Sequence, residues 1–493
     1  MTEPAIQGPY LAASEGRRVR MWKASTAGPN MVNLSGLPTI RARARDQVRN
    51  NPWAASALDK LTANGIATGI QAKGLWGNKK HKAAEAKLWK RHMAMCDADW
   101  TCDGYGLQAL AWREWKEVGE VFVRYRQRRM DDGLPVPLQL QLIEAEQCPS
   151  DLYTTASNGN QVRAGIELDS IGRRVAYWMY REHPGDASVS YNGTELVRVP
   201  ADQIEHVYMP KRAGQLRGVP DMSPALLRLF HLDRFADTVL ERQAISNLFT
   251  GFFVEKLPEY GAGAAATQPL PMGSTTTGAD GTELAGMEPG TMQYLPPGVG
   301  VEFNTPPDAG SNYPEFMRQG LMAFASTMGL PLELLTGDLR EISDRALRLI
   351  LNEFRRLIEM WQWLTFIPRF CQPWRARYFD AAVLCGALDI PGYADKRDDV
   401  VDTLWVPQGW PYSHPVQDVD ADIKAIRAGL QSRSGTVLAR GEDPEQNEQT
   451  IAADNQRADQ LGFVFSSDAR KTTPDGKASA QPAAGDTTTG EDA

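Results

Sequence analysis

The sequence predicts an α+β chain built from several domains. Helical periodicity fills the stretch from Arg41 to Val118, and strand alternation replaces it between Val121 and Tyr208. Two long helical stretches, at 223–247 and 312–329, bracket a strand-and-loop insertion. A third long helix, from about Ser343, carries a continuous apolar stripe. Runs of helices followed by runs of strands favour α+β over a doubly wound sheet. A length of 493 residues allows roughly two to four domains.

Residues 1–40 hold Gly, Pro and Ser with little periodicity and read as an arm. Over residues 1–50, Arg17, Arg18, Arg20, Lys23, Arg41, Arg43, Arg45 and Arg49 oppose Glu3, Glu15 and Asp46, a net of +5 in a chain of net −8. Contact with DNA, contact with an acidic neighbour and a solvated arm all fit that excess. Residues 41–67 are helical in pattern, interrupted by Pro52, whose ring and missing N–H break a helix interior. Further helices are expected at 79–95 and 107–118. The period then changes to two. Val121, Val123 and Tyr125 alternate with Phe122, Arg124 and Arg126, and Leu138, Leu140 and Leu142 alternate with Gln139, Gln141 and Ile143. Strands are also expected at 165–168, 174–180 and 204–208.

Ser223-Pro224 reads as a helix start, with the hydroxyl as cap and proline at the first helical position. Leu226, Leu229, Leu232, Ala236 and Val239 continue that helix to about Asn247. A short strand at 252–254 leads into 258–290, where Ala, Gly, Thr and Pro dominate; too little apolar surface is on offer there to order the segment alone, so a projecting or mobile loop is expected. A strand at 300–303 follows. Asn312 and Glu315 form a variant capping box for the next helix, and Gly329-Leu-Pro331 ends it. In the third long helix Leu347, Leu351, Phe354, Ile358 and Trp361 step by four and three, and Pro368 is expected to end or kink it. Residues 405–415 are aromatic, proline-locked and extended; 418–429 and 443–460 are helical; 466–493 are Thr-, Ala- and Gly-rich and expected to be disordered.

Composition narrows the function classes. Hydrophobic residues make up 42% and charged residues 23%, ordinary for a folded protein. A net charge of −8 and a pI of about 5.5 argue against a tight, charge-driven DNA binder, and allow a protein past which DNA moves without being held. Five cysteines without a CxxC pair read as reduced thiols. No basic, apolar-cored leader and no apolar run of about 18 residues is visible, so neither a signal peptide nor a membrane span is expected.

Catalytic motifs are missing. No GxxxxGK[ST] phosphate loop occurs, the nearest fragment being Gly476-Lys477-Ala478, so a motor ATPase is excluded. The stretch Asp97–Gly104 resembles a calcium loop but has Cys102 where glycine and Gln108 where a bidentate glutamate belong; it reads as a polar turn. Glu144 and Glu146 share a strand face and could serve acid/base or metal chemistry, which keeps a metal-dependent hydrolase as the competing class. The histidines are scattered and no HExxH or nucleophile elbow occurs. No catalytic residue, no metal and no cofactor is expected.

Five phrases carry more information than any motif. They are Arg41-Ala-Arg-Ala-Arg-Asp-Gln-Val-Arg-Asn-Asn-Pro-Trp53, Gly119-Glu-Val-Phe-Val-Arg124, Val136-Pro-Leu-Gln-Leu-Gln-Leu-Ile-Glu-Ala-Glu146, Gly214-Gln-Leu-Arg-Gly-Val-Pro220 and Gly329-Leu-Pro-Leu-Glu-Leu-Leu-Thr-Gly-Asp338. In this order and spacing the chain resembles the portal proteins of tailed bacteriophages, in the lambda-like family. The resemblance implies a homo-oligomeric ring of about twelve subunits at one capsid vertex of the virion, assembled in the host cytoplasm. Double-stranded DNA would pass through it in packaging and ejection. The partners implied are the terminase large subunit, then head-completion or adaptor proteins, with major capsid and scaffolding proteins around the ring and no membrane. A head-tail adaptor ring without a DNA channel is the remaining alternative.

The family plan implies an arm at 1–40, the first part of a wing at 41–221, stem helices at 222–249 and 309–330, a β-containing clip at 250–308 with its loop at 258–290, a tunnel loop at 331–345, the long helix and second part of the wing at 346–415, a helical crown at 416–465 and a tail at 466–493. By position Leu339, Arg340, Glu341, Ile342, Ser343, Asp344 and Arg345 would face DNA. An aromatic or Ser-rich stretch is expected after Gly337-Asp338, and Leu339-Arg-Glu-Ile-Ser343 departs from it. Arg340 and Arg345 could meet phosphate while Glu341 and Asp344 repel it, and such mixed charge keeps a grip weak. Asp233, Asp237 and Glu241, four apart on one face of the first stem helix, would line the channel or face solvent.

Overall fold

The computed structural model describes residues 21–472 apart from 22, 35, 187–192, 194, 249–251, 256–274, 278–282, 286–298, 303–312, 341, 412–413, 467 and 469. It divides into two compact units, the first formed by residues up to Leu226 with those from Ala323 onward, the second by Leu227–Met322.

The first unit opens with helices α1 (Pro29–Leu34), α2 (Leu37–Asn50) and α3 (Pro52–Gly65). The expected arm is therefore partly helical, and Asn30 ties it down: its amide donates to Gly214 O at 3.0 Å and accepts from Leu216 N at 2.9 Å. Arg17, Arg18 and Arg20 lie outside the described residues. The break at Pro52 is where the sequence places it. Asn51 Oδ1 accepts from the N–H groups of Trp53 (3.0 Å) and Ala54 (3.2 Å), so one residue closes α2 and caps α3. Strand β1 (Gln71–Gly74), α4 (Lys79–Met93) and α5 (Gly104–Val118) follow. Trp112 of α5 lies flat against Gly65, where a Cβ would come within 2.3 Å of the indole, and its N–H donates to Leu61 O at 3.1 Å.

Antiparallel sheets complete this unit. The first has the order β3-β2-β9, from β2 (Glu120–Gln127), β3 (Leu138–Ile143) and β9 (Ile204–Tyr208), with Val123 paired to both Leu142 and Glu205. The second is a meander of β4 (Tyr153–Thr155), β5 (Gln161–Arg163), β6 (Ile166–Leu168), β7 (Arg174–Tyr180) and β8 (Leu196–Pro200). Phe122, Ile143, Ile166, Tyr177, Val199 and Ile204 close the core between them.

The second unit holds α6 from Leu227 on (the helix spans Leu226–Leu248), strands β10 (Phe252–Glu255), β11 (Thr275–Thr277), β12 (Glu283–Ala285) and β13 (Val299–Glu302), and the start of α7 (Tyr313–Met328). Strand β10 pairs with β13, and β11 with β12, both antiparallel. The Thr275–Thr277 run, expected to be loop, is thus a strand; β-branched threonine suits a pleated backbone. The rest of 258–290, and the Asn312 cap, lie outside the described residues. Helices α6 and α7 pack through Leu232 over Gly320 and through Phe235, whose ring lies 4.9 Å from Phe316 and 5.9 Å from Tyr313. The start of α6 corrects one expectation. Ser223 does not cap it: its hydroxyl donates to Pro220 O at 2.6 Å, residues 221–225 form turns, and the helix begins three residues later.

After α7 the chain returns to the first unit through α8 (Leu332–Thr336), α9 (Asp344–Trp361), a π-helical segment (Gln362–Cys371) and α10 (Gln372–Leu384). Pro368 does not end this helix. It sits inside the π turn, where the wider spiral accommodates a ring that would clash in an α-helix. Phe366, Phe370 and Trp374 form a buried aromatic ladder there, the first two stacked at 4.9 Å. Next come α11 (Tyr393–Val401), β14 (Thr403–Val406), α12 (Pro415–Arg427), α13 (Arg433–Ala439) and α14 (Pro444–Leu461). Strand β14 pairs with β1, Gln71 opposite Val406, joining the two ends of the unit. The front of the expected disordered tail is anchored, because Arg470 and Lys471 bond to Asp459 and Arg470 to Asp468; from residue 473 the chain lies outside the described residues.

Candidate functional site

The segment after α7 is shaped by two glycines in the left-handed region. Gly329 has φ +68° and Gly337 φ +74°. Gly329 also packs so closely that a Cβ would stand 2.4 Å from Leu357. Between them lies α8, where the expected tunnel loop should already have begun. Its last carbonyls are held from outside, since Lys60 Nζ donates to Leu335 O at 2.9 Å. The Thr336 hydroxyl donates to Leu332 O at 2.9 Å and accepts from Asp338 N at 3.2 Å. Asp338 in turn receives the Arg340 backbone N–H (3.1 Å), Nε (2.8 Å) and Nη2 (2.7 Å).

The seven predicted DNA-facing residues therefore divide. Leu339 and Arg340 are exposed in the loop, with the Arg340 side chain 86% accessible although folded onto Asp338. Ile342 is half-buried. Ser343 is the cap of α9 and accepts from Ala346 N at 3.3 Å. Asp344 and Arg345 belong to the first turn of α9, where a carboxylate favours the helix dipole. Glu341 lies outside the described residues. The loop proper is thus shorter than expected at both ends, because α8 and the Ser343 cap take residues from it.

On α6, Asp237 and Glu241 are exposed and Asp233 is half-buried. Burial, reinforced by the like charge of Asp237, pushes the Asp233 carboxyl above its ordinary value. The acidic stripe is therefore a true juxtaposition along one helix face.

Four of the five sequence phrases meet elsewhere. Glu120, fully buried, bonds the 41–53 and 214–220 phrases directly, and Arg217 links it to the 136–146 phrase. Its Oε1 accepts from Arg41 Nη2 at 2.6 Å and from Arg217 Nε at 2.7 Å; its Oε2 accepts from Gly218 N at 2.5 Å and faces His206 Nε2 at 2.9 Å. Arg217 spends its remaining N–H groups on Ala164 O (2.7 Å), Ala145 O (3.2 Å) and Cys148 O (3.0 Å). Burial alone would raise the Glu120 carboxyl, but the charges of Arg217 and Arg41 outweigh it and hold it well below the usual range. Arg174 Nη1 donates to His206 Nδ1 at 2.9 Å, so His206 keeps its proton on Nε2 and gives it to Glu120. Glycine is required beside this carboxylate. A Cβ on Gly119 (φ +91°) would lie 2.2 Å from the Val219 carbonyl carbon, and one on Gly218 would lie 2.0 Å from Gly119 O.

Next to it Arg45 chelates Glu146 through Nε (2.9 Å) and Nη2 (3.0 Å), bonds Glu114, and approaches Glu117 and Glu144 at 3.6 Å each. Glu144, Glu146 and His183 place ligand atoms within 4.8 Å of one another. The guanidinium of Arg45 already supplies the counter-charge to Glu146, and His183 Nε2 lies 3.2 Å from Glu144. Asp97 likewise bonds its own turn, accepting from Asp99 N, Thr101 N and Cys102 N, in keeping with a polar turn. The Glu120 cluster was not foreseen from the sequence; its clearest signals were Glu120 and Arg217, each a charge set directly among glycine and apolar residues.

The family model for phage portal proteins of the lambda family matches residues 15–362. The probable portal protein of Halomonas phage phiHAP-1 is 26% identical over 480 residues, covering 94% of this chain and 89% of that protein. Portal protein B of Escherichia phage lambda is 20% identical over 476 residues, covering 87% of this chain and 85% of that protein. Among solved structures, the neck of a native gene transfer agent particle computed with C12 symmetry is 15% identical and covers 87% of this chain and 99% of that chain, with a TM-score of 0.45. Portal proteins are structural components of the particle and not enzymes. The chain belongs to the lambda family of phage portal proteins.

Proposed function

We propose that this chain assembles into a ring of about twelve copies at one capsid vertex and conducts double-stranded DNA in packaging and ejection. The observation that carries the reading is family membership across residues 15–362 together with two helices, α6 and α7, that bracket a strand insertion. In this reading α6 and α7 are the stem, β10–β13 with the segment between them the clip, the two sheets of the first unit the wing, and α12–α14 the crown. The clip docks the terminase large subunit first and head-completion or adaptor proteins afterwards. Capsid and scaffolding proteins surround the wing, and assembly takes place in the host cytoplasm.

The site chemistry supports conduction without grip. Arg340, the exposed cation of the loop, is bonded to Asp338, so its attraction for phosphate is partly neutralised. The α6 stripe of Asp233, Asp237 and Glu241 repels phosphate where it faces the channel. A tight set of phosphate contacts would instead bind DNA and stall it. Electron microscopy of the purified full chain tests the assembly: rings with a central hole wide enough for a duplex are expected. Monomers, or rings closed at the centre, would overturn the reading.

A further inference from the structure

The outer face of α4 has a charge pattern that neither the loop nor the stem explains. Lys79, Lys80, Lys87, Lys90 and Arg91 are all exposed. At 3.6 residues per turn they fall within an arc of about 120°. That arc is opposite the face that buries Leu88, Trp89, His92 and Met93. Over the span from Lys79 to Arg91 it extends about 18 Å along the helix axis. The one carboxylate of α4, Glu85, is not available to these cations: it bonds the fully buried Arg375 at 2.5 Å from another helix. None of the five makes an ion pair among the described residues.

Helix physics does not ask for this arrangement. Cations at the end of a helix complement its dipole, which accounts for Lys90 and Arg91. Lys79 and Lys80 stand in the first turn, where the dipole disfavours positive charge, and no acidic residue accompanies them. The helix starts on the Asn78 cap with its free N–H groups and two lysines at the same place, so positive potential accumulates there. Between the cations the exposed positions are Ala83, Ala84 and Ala86, which leave the helix surface low, and His81, which points off the arc and stacks on Trp76.

We propose that this face of α4, which shares no residue with the loop and helices assigned to the channel, binds the phosphate backbone of double-stranded DNA. A protein partner would be expected to find an aromatic or large apolar anchor at the centre of its footprint. On the arc itself α4 offers cations and alanine, and the nearby carboxylates of Asp443 and Glu445, which share a groove with Lys79, are paired to Lys73; this suits a backbone contact that positions DNA without reading sequence. In a chain of net −8 the contact is local, weak and sensitive to salt. It does not rest on the channel reading, since a wing surface of this kind would hold DNA whether or not DNA passes through the ring.

Fluorescence anisotropy of a labelled duplex with the full chain, over a salt series, tests it. The expected slope of log K against log salt falls by about 0.9 for each contact removed. The triple variant K87Q/K90Q/R91Q should therefore lose roughly two to three units of slope and bind at least about tenfold more weakly at low salt. K79Q/K80Q should lose about two. A control, K424Q/R427Q/R433Q, removes three exposed cations from the region of α12 and α13 and should leave slope and affinity near those of the native chain. Circular dichroism of each variant checks that it folds. An unchanged slope in the α4 variants, or an equal loss in the control, overturns the proposal. So does unaltered DNA affinity with loss of poly-glutamate binding, which would reassign the face to an acidic protein.

Discussion

Glu120 gathers two arginines and a histidine in a space closed to water, and its partners lie far apart in the chain. Arg41 is 79 positions away and Arg217 is 97. The phrases that hold them are plain in the sequence, but nothing local says that they meet, because the contact depends on β2 pairing with β9 and on α2 packing against α5, which leads into β2. Removing the carboxylate charge leaves two buried guanidinium groups without it. Glu120→Gln should therefore cost about 3–5 kcal/mol, read as a lower denaturant midpoint at unchanged slope. His92 supplies a separate test of pH dependence. Trp374 Nε1 donates to His92 Nε2 at 3.2 Å, which requires that nitrogen bare. Burial, with the nearby Arg375 charge, pushes the imidazole down to about 3. The unfolded chain takes up this proton near its ordinary value and the folded chain does not. The stability linked to His92 is thus full above about 6.5 and is lost as pH falls through that value toward 3, by about 1.4 kcal/mol per pH unit. Thermal melting of His92→Gln should start lower at pH 7.5 and fall less between pH 7.5 and 5 than that of the native chain; parallel declines would exclude His92 as a source of the acid sensitivity.

Helices with caps and stripes were legible: the break at Pro52, the run to Val118 and the stripe from Leu347 to Trp361 all lie where their periodicity puts them. Short strands such as β4, β5 and β8 were not, since three to five residues show too little alternation to separate from loop. Pro368, expected to end or kink the helix, does not end it, because the clash that breaks an α-helix holds for α spacing and the segment is π-helical. The segment between α8 and α9 is shorter than the 331–345 loop expected from the sequence, as Ser343 bonds the start of α9. That assignment separates two roles. Ser343→Ala should lower stability by about 1 kcal/mol and leave DNA packaging unchanged at temperatures where the ring is intact. Replacing Asp233, Asp237 and Glu241 of α6 together by lysine should act the other way, with assembly preserved and packaging reduced, because phosphate would then be held. Packaging assays on rings of confirmed integrity decide it, and unchanged packaging by the lysine variant removes α6 from the channel wall.

Chemistry at the level of the whole chain is set by what burial leaves reachable. No motif pairs the five cysteines, and in the fold all five are free thiols. Cys96, Cys148 and Cys371 are buried in the first unit, while Cys102 and Cys385 are partly accessible. Reaction with a disulfide reagent needs both access and thiolate. Burial pushes the Cys148 thiol up to about 11 even with Arg217 beside it, and it raises Cys96 and Cys371 as well. Cys102 is reachable, yet partial burial and the Asp97 carboxylate, whose Oδ2 lies 3.6 Å from its sulfur, keep its thiol above the ordinary value. A colorimetric thiol reagent should therefore modify two cysteines in the native chain and five in denaturant. Peptide mapping should find Cys385 labelled ahead of Cys102. Fast native labelling of Cys148 would carry the most weight against the structure, because its sulfur lies at 3.6 Å from Arg217 in the Glu120 cluster. Reagent could reach it only if that cluster opens, and an open cluster would mean that the charges holding the sequence phrases together are not closed to water.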